Sequence, residues 1–195
     1  MSLRFEGLSG AAIAPVIDGL AQLRIAVFRD WPYLYDGDLA YERSYLQAYR
    51  DNPRAIVVAA FDGPRLVGAS TGLPLQDADA EFAQAFANSA YAPAQIFYCA
   101  ESVLLAEYRG QGAGHHFFDL REGHARSLGY RQSAFCSVLR APDHPARPEG
   151  YRPLDAFWRA RGYAPLDGVV AQFQWRDTGD AKDSTKPLQF WMREL

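Results

Sequence analysis

The chain has 195 residues, a net charge of −3 and 49% apolar residues. This length fits one domain with a core of its own, and the composition predicts neither a disordered chain nor one that spans a membrane. The small negative charge also argues against the basic surface that a nucleic-acid-binding protein needs. Cys99 and Cys136 form no C-x-x-C pair and follow no signal peptide, so we expect a cytoplasmic protein.

The first half of the chain shows the periodicities of two helices, a hairpin and a short third helix. Apolar residues recur every three to four positions in the helical segments, while the two β-rich runs flank the turn Asp62-Gly63-Pro64. The predicted segments are helices at 11–28 and 38–49, strands at 55–61 and 65–74, and a helix at 77–88.

The second half opens with a mostly apolar run at 95–105, as expected for a strand that is covered on both faces. Glu101 is the charged exception in this run. We find no internal repeat or linker, so residues 1–195 are expected to form one α+β domain. The further predicted segments are a helix from the glycine-rich loop to 128, strands at 130–139, 169–175 and 188–192, and a short helix at 154–161.

The loop between the strand at 95–105 and the next helix reads Arg109-Gly110-Gln111-Gly112-Ala113-Gly114. Glycines let the backbone approach a ligand, and the unpaired N–H groups that begin a helix attract an anion, so this loop predicts a phosphate cradle. A P-loop would need a lysine, which is missing here. In a dinucleotide-binding fold the third glycine would come one position later and the loop would follow the first strand.

The pattern Arg109-x-x-Gly112-x-Gly114 after a strand resembles the acetyl-CoA loop of the GNAT acyltransferase superfamily. The segment 157–163, Phe-Trp-Arg-Ala-Arg-Gly-Tyr, resembles the aromatic phrase in the last short helix of that family. The order of the predicted elements agrees as well. The resemblance implies a mixed, largely antiparallel, twisted sheet of about six or seven strands, splayed at the cofactor site and flanked by helices.

The resemblance also implies acetyl-CoA as co-substrate, with its pyrophosphate held by the glycine loop and its pantetheine arm paired to the preceding strand. An extended amide chain needs partners along a strand edge, which agrees with this arrangement. The implied pyrophosphate residues are Arg109, Gly110, Gln111, Gly112, Ala113 and Gly114, and the implied pantetheine residues are Val103, Leu104 and Leu105.

Acyl transfer to an amine requires a base, because a primary amine is protonated at neutral pH. Glu101 is the first candidate, since a carboxylate in an apolar strand calls for either a partner or a function. Tyr98 is the second candidate; it lies on the opposite face if the strand is regular, so that a bulge decides which of the two faces the substrate. His144, in a proline-rich loop, is the third.

The departing thiolate could be protonated by a general acid, which in many family members is a tyrosine of the last short helix. Trp158 stands at that position here and cannot donate a proton in that role. Tyr151, at the entrance to the helix, is the alternative donor, besides Tyr163 or ordered water. Cys136 is interpreted as a core residue, because a lone cysteine in an apolar strand is usually buried.

The acceptor pocket implied by the resemblance lies near the N-terminal helices, where Trp31, Tyr33, Tyr35 and Asp36 follow one another closely. Aromatic walls and carboxylates suit a cationic amine, although the same aromatic residues could be core. The histidines have no spacing typical of metal ligands, so no metal is expected.

These observations favour an N-acetyltransferase that moves the acetyl group of acetyl-CoA to a primary amine of a small molecule or a peptide. A non-catalytic acyl-CoA-binding sensor would keep the cradle and lack the acid and base. A nucleotide-cofactor oxidoreductase fits the loop spacing less well. We expect no nucleic-acid or membrane partner, and the sequence leaves a homodimer open.

Overall fold

The computed structural model describes residues 3–195, which form one mixed sheet with helices on both faces. The strands follow one another across the sheet in the order β1-β2-β3-β4-β6-β8-β7, and β5 pairs with β3 beside β4. They are β1 Arg4–Leu8, β2 Ile56–Asp62, β3 Arg65–Pro74, β4 Ile96–Tyr98, β5 Ser102–Leu104, β6 Gln132–Val138, β7 Ala164–Trp175 and β8 Ser184–Glu194.

The predicted sheet type is confirmed, because every strand pair except β4–β6 is antiparallel. The strand count rises to eight for two reasons. The predicted strand at 95–105 is interrupted and forms both β4 and β5. The edge strand β1 was not predicted, since its five residues include Arg4, Glu6 and Gly7 and show no clean alternation.

The helices divide between the two faces of the sheet. The N-terminal helices and α3 pack in one apolar cluster, and α4 and α5 pack in the other. The predicted helix at 77–88 is shorter than expected, since only Ala80–Gln84 is α-helical and turns follow it. The helices are α1 Ile17–Phe28, α2 Leu39–Asp51, α3 Ala80–Gln84, α4 Ala113–Ser127 and α5 Asp155–Ala160.

The helical segment Gly10–Phe28 is long and apolar enough, by length and composition alone, to cross a membrane. The composition of the whole chain did not reveal this. In the fold the segment is a 3-10 turn followed by α1, and it packs on α2 and on the sheet. Its buried Arg24 forms ion pairs inside the protein, as expected for a core helix.

The sheet opens where β4 ends. Residues 96–98 of β4 pair with 132–134 of β6, and the amide of Cys99 still donates to the carbonyl oxygen of Ala134 at 2.7 Å. Beyond that point β5 pairs with β3, whereas β6 continues against β8. Among residues 3–195, β5 therefore has a strand partner on one side only.

Candidate functional site

The free edge of β5 exposes main-chain polar groups in the opening of the sheet. Leu105 N–H donates to Val67 O, and Thr71 N–H donates to Glu101 O, each at 3.0 Å. Because hydrogen bonding alternates along an antiparallel ladder, Val103 also bonds toward β3, while Ser102 and Leu104 point away from it. Of the three residues expected to pair with pantetheine, only Leu104 presents its main chain to the opening. Val103 and Leu105 are engaged with β3, whereas Ser102, which was not predicted, also presents its main chain to the opening.

A bulge between β4 and β5 decides which side chains face the cavity beside the opening. Thr71 N–H donates to Glu101 O while Thr71 O accepts from Ala100 N–H at 3.0 Å, so two residues oppose one. The extra residue cancels the alternation of a regular strand. Tyr98 and Glu101, expected on opposite faces, consequently line the same cavity.

The N-terminus of α4 presents five consecutive amides that make no hydrogen bond. None of the N–H groups of residues 110–114 donates to another atom of residues 3–195. Gly112, the N-cap residue, offers no side-chain cap, and the first turn holds no acidic residue. Unbonded amides and the helix dipole make this helix start suited to bind an anion. Arg109 is exposed, and its Nε donates to Leu104 O at 3.1 Å, so its side chain folds back over the edge of β5.

The three glycines of the loop are required for different reasons. Gly110 and Gly112 have φ angles of +76° and +84°, which L side chains rarely adopt. Gly114 is helical, and a Cβ there would lie 3.1 Å from Phe157 Cζ. Gly114 is therefore needed for the close approach of α5, and the glycine loop and the aromatic phrase contact each other at this point.

A cavity of about 470 Å³ lies between the N-terminal helices and the sheet and is lined by most of the residues predicted for catalysis and acceptor binding. Tyr33, Tyr35 and Asp36 line it, as predicted, together with Tyr98 and Glu101. Trp31 does not line it. Further residues of its wall are Arg24, Phe28, Asp38, Tyr41, Glu42, Tyr45, Asp79, Phe82, Cys136, Phe173, Trp175, Arg176 and Asp183.

Glu101 belongs to a buried ion-pair network on this wall. Its Oε1 pairs with Nη1 of Arg24, whose Nε pairs with Oε2 of Glu42, and its Oε2 accepts from the hydroxyl of Tyr45 at 3.1 Å. The side chains of Glu101, Arg24 and Glu42 are 10%, 9% and 0% exposed. Burial lowers the pKa of Arg24, but the neighbouring carboxylates outweigh burial and raise it, so Arg24 stays charged.

Tyr98 and Cys136 form a buried pair beside Glu101, with 3.0 Å between the hydroxyl and Sγ. Burial is the main cause that raises the pKa of Tyr98 well above its ordinary value. Burial likewise raises the pKa of the Cys136 thiol to about 12. Both groups are therefore protonated at neutral pH, and Tyr98 can donate a proton there but not accept one.

The remaining candidates lie outside the cavity. Tyr151 packs edge-on against Trp31 with the ring centroids 5.9 Å apart, and His144 lies 5.0 Å from the same indole. The structure thus brings neither Tyr151 nor His144 to Glu101. Trp158 packs between Phe135 and Trp191, at 4.9 and 5.2 Å, so α5 offers no hydroxyl group.

No protein-family model matches the sequence, and no curated protein matches it either. Solved structures match along the whole chain. A GCN5-related N-acetyltransferase from Kribbella flavida aligns over 99% of this chain and 98% of its own, with a TM-score of 0.60 and 16% identity. The chain has the GNAT fold.

Two further structures show the same GNAT fold. The ribosomal-protein-alanine N-acetyltransferase from Brucella melitensis is 14% identical, with a TM-score of 0.61 and full coverage of both chains. The PaiA N-acetyltransferase from Thermoplasma acidophilum, solved in complex with coenzyme A, is 13% identical, with a TM-score of 0.56 and full coverage of both chains. At these identities the similarity concerns the fold.

In this GNAT fold the sequence did not identify Arg24, Tyr45 and Arg121 as residues of the site. Arg24 and Tyr45 hold the carboxylate of Glu101, Glu42 of the predicted acceptor region pairs with Arg24, and buried Arg121 of α4 donates to the bulge. One signal was available, since Arg24 interrupts the apolar segment IDGLAQLRIAVF as Glu101 interrupts its strand. Arg121 lies in ordinary polar helical sequence and gave no signal. Residues 3–195 contain no cluster of His, Cys, Asp or Glu that could hold a metal ion.

Proposed function

We propose that the protein is an N-acetyltransferase that transfers the acetyl group of acetyl-CoA directly to a primary amine. The observation that carries the proposal is the arrangement at the sheet opening. Five unbonded amides at the start of α4 follow the free edge of β5, and a cavity with a buried carboxylate adjoins that edge. A phosphate-bearing thioester and a cationic acceptor are the two ligands for which these groups are suited.

The proposed cofactor site is made mainly of backbone. The amides of residues 110–114 would hold the pyrophosphate, and the outward groups of Ser102 and Leu104 would pair with the amide chain of pantetheine. Acetyl-CoA supplies an activated acyl group, because a thiolate is a good leaving group. Arg109 would release its contact with Leu104 O and turn toward the phosphates.

Glu101 is the proposed base. Its carboxylate lines the cavity and is held in place by Arg24 and Tyr45, so it can attract an ammonium group and accept its proton. The hydroxyl of Tyr98 stays protonated beside it and is suited to donate a hydrogen bond. No general acid is needed for a leaving thiolate with an ordinary pKa of about 8.5, which agrees with Trp158 in place of a tyrosine.

Release of free thiol from acetyl-CoA, followed with a panel of primary amines, tests the proposal. We expect amine-dependent release, and thermal stabilisation by acetyl-CoA but not by NAD(H). Absence of stabilisation by acetyl-CoA would overturn the assignment of the cradle.

A non-catalytic acyl-CoA sensor is the second candidate. The observation that favours it is the lack of any hydroxyl side chain on α5. Stabilisation by acetyl-CoA without amine-dependent thiol release from any member of the panel would support the sensor and contradict the enzyme.

A further inference from the structure

The charge of the cavity wall is strongly negative. Six carboxylates and only two guanidinium groups line it, whereas the whole chain carries a net charge of −3. The wall also carries nine aromatic rings, which favour cations through their faces. The carboxylates are Asp36, Asp38, Glu42, Asp79, Glu101 and Asp183, and the guanidinium groups are Arg24 and Arg176.

These carboxylates form two tiers. The inner tier is Glu42 and Glu101, both buried, with Arg24 between them, which leaves one unit of negative charge. The outer tier lies at the rim, where Arg176 compensates Asp36 at 2.6 Å. The other three rim carboxylates are exposed and form no ion pair within residues 3–195; they are Asp38, Asp79 and Asp183.

The two carboxylates of the inner tier differ in their access to the cavity. The Glu42 side chain is 0% exposed, and the hydroxyl of Tyr35 lies beside its carboxylate, so that burial and Glu42 together raise the pKa of Tyr35. The Glu101 side chain is 10% exposed and lines the cavity, so it is the inner carboxylate that an ammonium group can contact. Glu42 acts on that ammonium group through its charge.

We propose that the acceptor carries two cationic groups, one at the inner tier and one at the rim, as in an aliphatic diamine. This inference rests on the proposed function and specifies its acceptor. The single uncompensated charge of the inner tier suits the reacting ammonium. The rim offers three uncompensated carboxylates to a second ammonium group, namely Asp38, Asp79 and Asp183. A cavity of about 470 Å³ has room for such a chain between the tiers.

The test compares 1,4-diaminobutane with 1-aminobutane, which has the same chain length and lacks the second charge. Binding to the protein with acetyl-CoA present is measured by calorimetry, and kcat/KM by thiol release. We expect the diamine to exceed the monoamine by about fivefold or more in both measurements. The preference should shrink as ionic strength rises, because rim charges are screened.

Variants of the carboxylates show which tier causes the preference for the diamine over the monoamine. The double variant Asp79→Asn, Asp183→Asn is expected to remove most of the preference for the diamine. Glu42→Gln should weaken both amines alike, since both place an ammonium group at the inner tier. Asp167→Asn is the matched control, because Asp167 is exposed, unpaired among residues 3–195 and outside the cavity wall.

The outcomes separate this inference from the proposed function. Equal binding and equal kcat/KM for the two amines would overturn the inference while acetyl transfer stands. Retention of the preference in the double rim variant would overturn it as well. Tighter binding of the diamine that depends on the rim, without thiol release from any amine, would uphold the inference and contradict the enzyme.

Discussion

The Nη1 atom of Arg121 lies 2.9 Å from the carbonyl oxygen of Glu101. The same atom donates to Thr71 O at 3.1 Å, and Nη2 donates to Ser102 Oγ at 2.9 Å. Arg121 is 1% exposed and forms no ion pair with a carboxylate of residues 3–195. One guanidinium group of the helix that begins at the cradle therefore holds the bulge that carries the proposed base.

Replacing Arg121 should impair both folding and transfer. Arg121→Met removes the charge-assisted hydrogen bonds to Thr71 O and Glu101 O, each of which keeps one backbone donor, so we expect a loss of about 2–3 kcal/mol in the free energy of unfolding. A displaced Glu101 should lower kcat more than it raises KM for acetyl-CoA, and Arg121→Lys should recover part of kcat. Urea unfolding and steady-state kinetics measure these effects. Arg126→Met, an exposed arginine on the same helix, is the control.

The loop glycines should respond differently to a methyl group. Gly112→Ala forces an L side chain to a φ of +84°, so we expect weaker acetyl-CoA binding even though a Cβ meets no neighbouring atom. Gly114→Ala places its Cβ 3.1 Å from Phe157 Cζ and should mainly lower Tm. Calorimetry with acetyl-CoA and thermal melts distinguish the two. Equal effects of both variants on acetyl-CoA binding would contradict separate roles.

Glu101→Gln should lower kcat by about 10²–10⁴-fold if Glu101 is the base. The variant keeps the shape and the hydrogen bond from Tyr45, so acetyl-CoA binding should be nearly unchanged. Tyr98→Phe should have the smaller effect on kcat, because Tyr98 is protonated at neutral pH and cannot act as base. Kinetics and Tm are measured for both. A lowered Tm with unchanged kcat in Glu101→Gln would show a structural ion pair.

The Cys136 thiol should be unreactive in the native protein. Burial raises its pKa to about 12, so at pH 8 its thiolate fraction lies far below that of a free cysteine with a pKa of about 8.5. Burial also raises the pKa of Cys99. We expect both thiols to react with a disulfide reagent only after unfolding. A rapid native reaction that Cys136→Ser abolishes would contradict this prediction.

Asp177 should stabilise the protein at neutral pH. Arg140 donates to both of its oxygens, at 2.6 and 3.0 Å, and Arg140 and Lys186 lower its pKa against the opposing effect of burial. A lowered pKa means that this stability is present above the unfolded value of about 3.9 and is lost as pH falls through the folded value. Asp177→Asn should therefore cost about 1–3 kcal/mol at pH 7 and little at pH 2. Urea unfolding at both pH values measures this, and exposed Asp180→Asn is the control.

The elements with strong local signals were predictable from the sequence. Asp38 caps α2 with its Oδ1 2.8 Å from Tyr41 N, and Gly129 and Gly162 end their helices with φ angles of +86° and +87°. The hairpin of β2 and β3 was equally clear, because its turn residues and β-branched runs agree. In each case the residues that begin, end or connect the element lie within a few positions of it in the sequence.

The features that decide the site depend on distant contacts. An apolar run shows no alternation, so the bulge that brings Tyr98 and Glu101 to one face has no local signature. Tyr33, Tyr35 and Asp36 were predicted for the acceptor pocket, but Trp31 packs instead against Tyr151. Arg121 became recognisable only as a buried charge, which requires the tertiary structure.

The bulge between β4 and β5 makes the number of residues in this short stretch more important than their identity. Loss of a single residue between Tyr98 and Ser102 would restore the regular alternation of the strand. Glu101 would then turn away from Arg24, and β5 could continue alongside β6. A substitution at Ala100 leaves this geometry in place, whereas a change in length would close the opening proposed to receive both ligands.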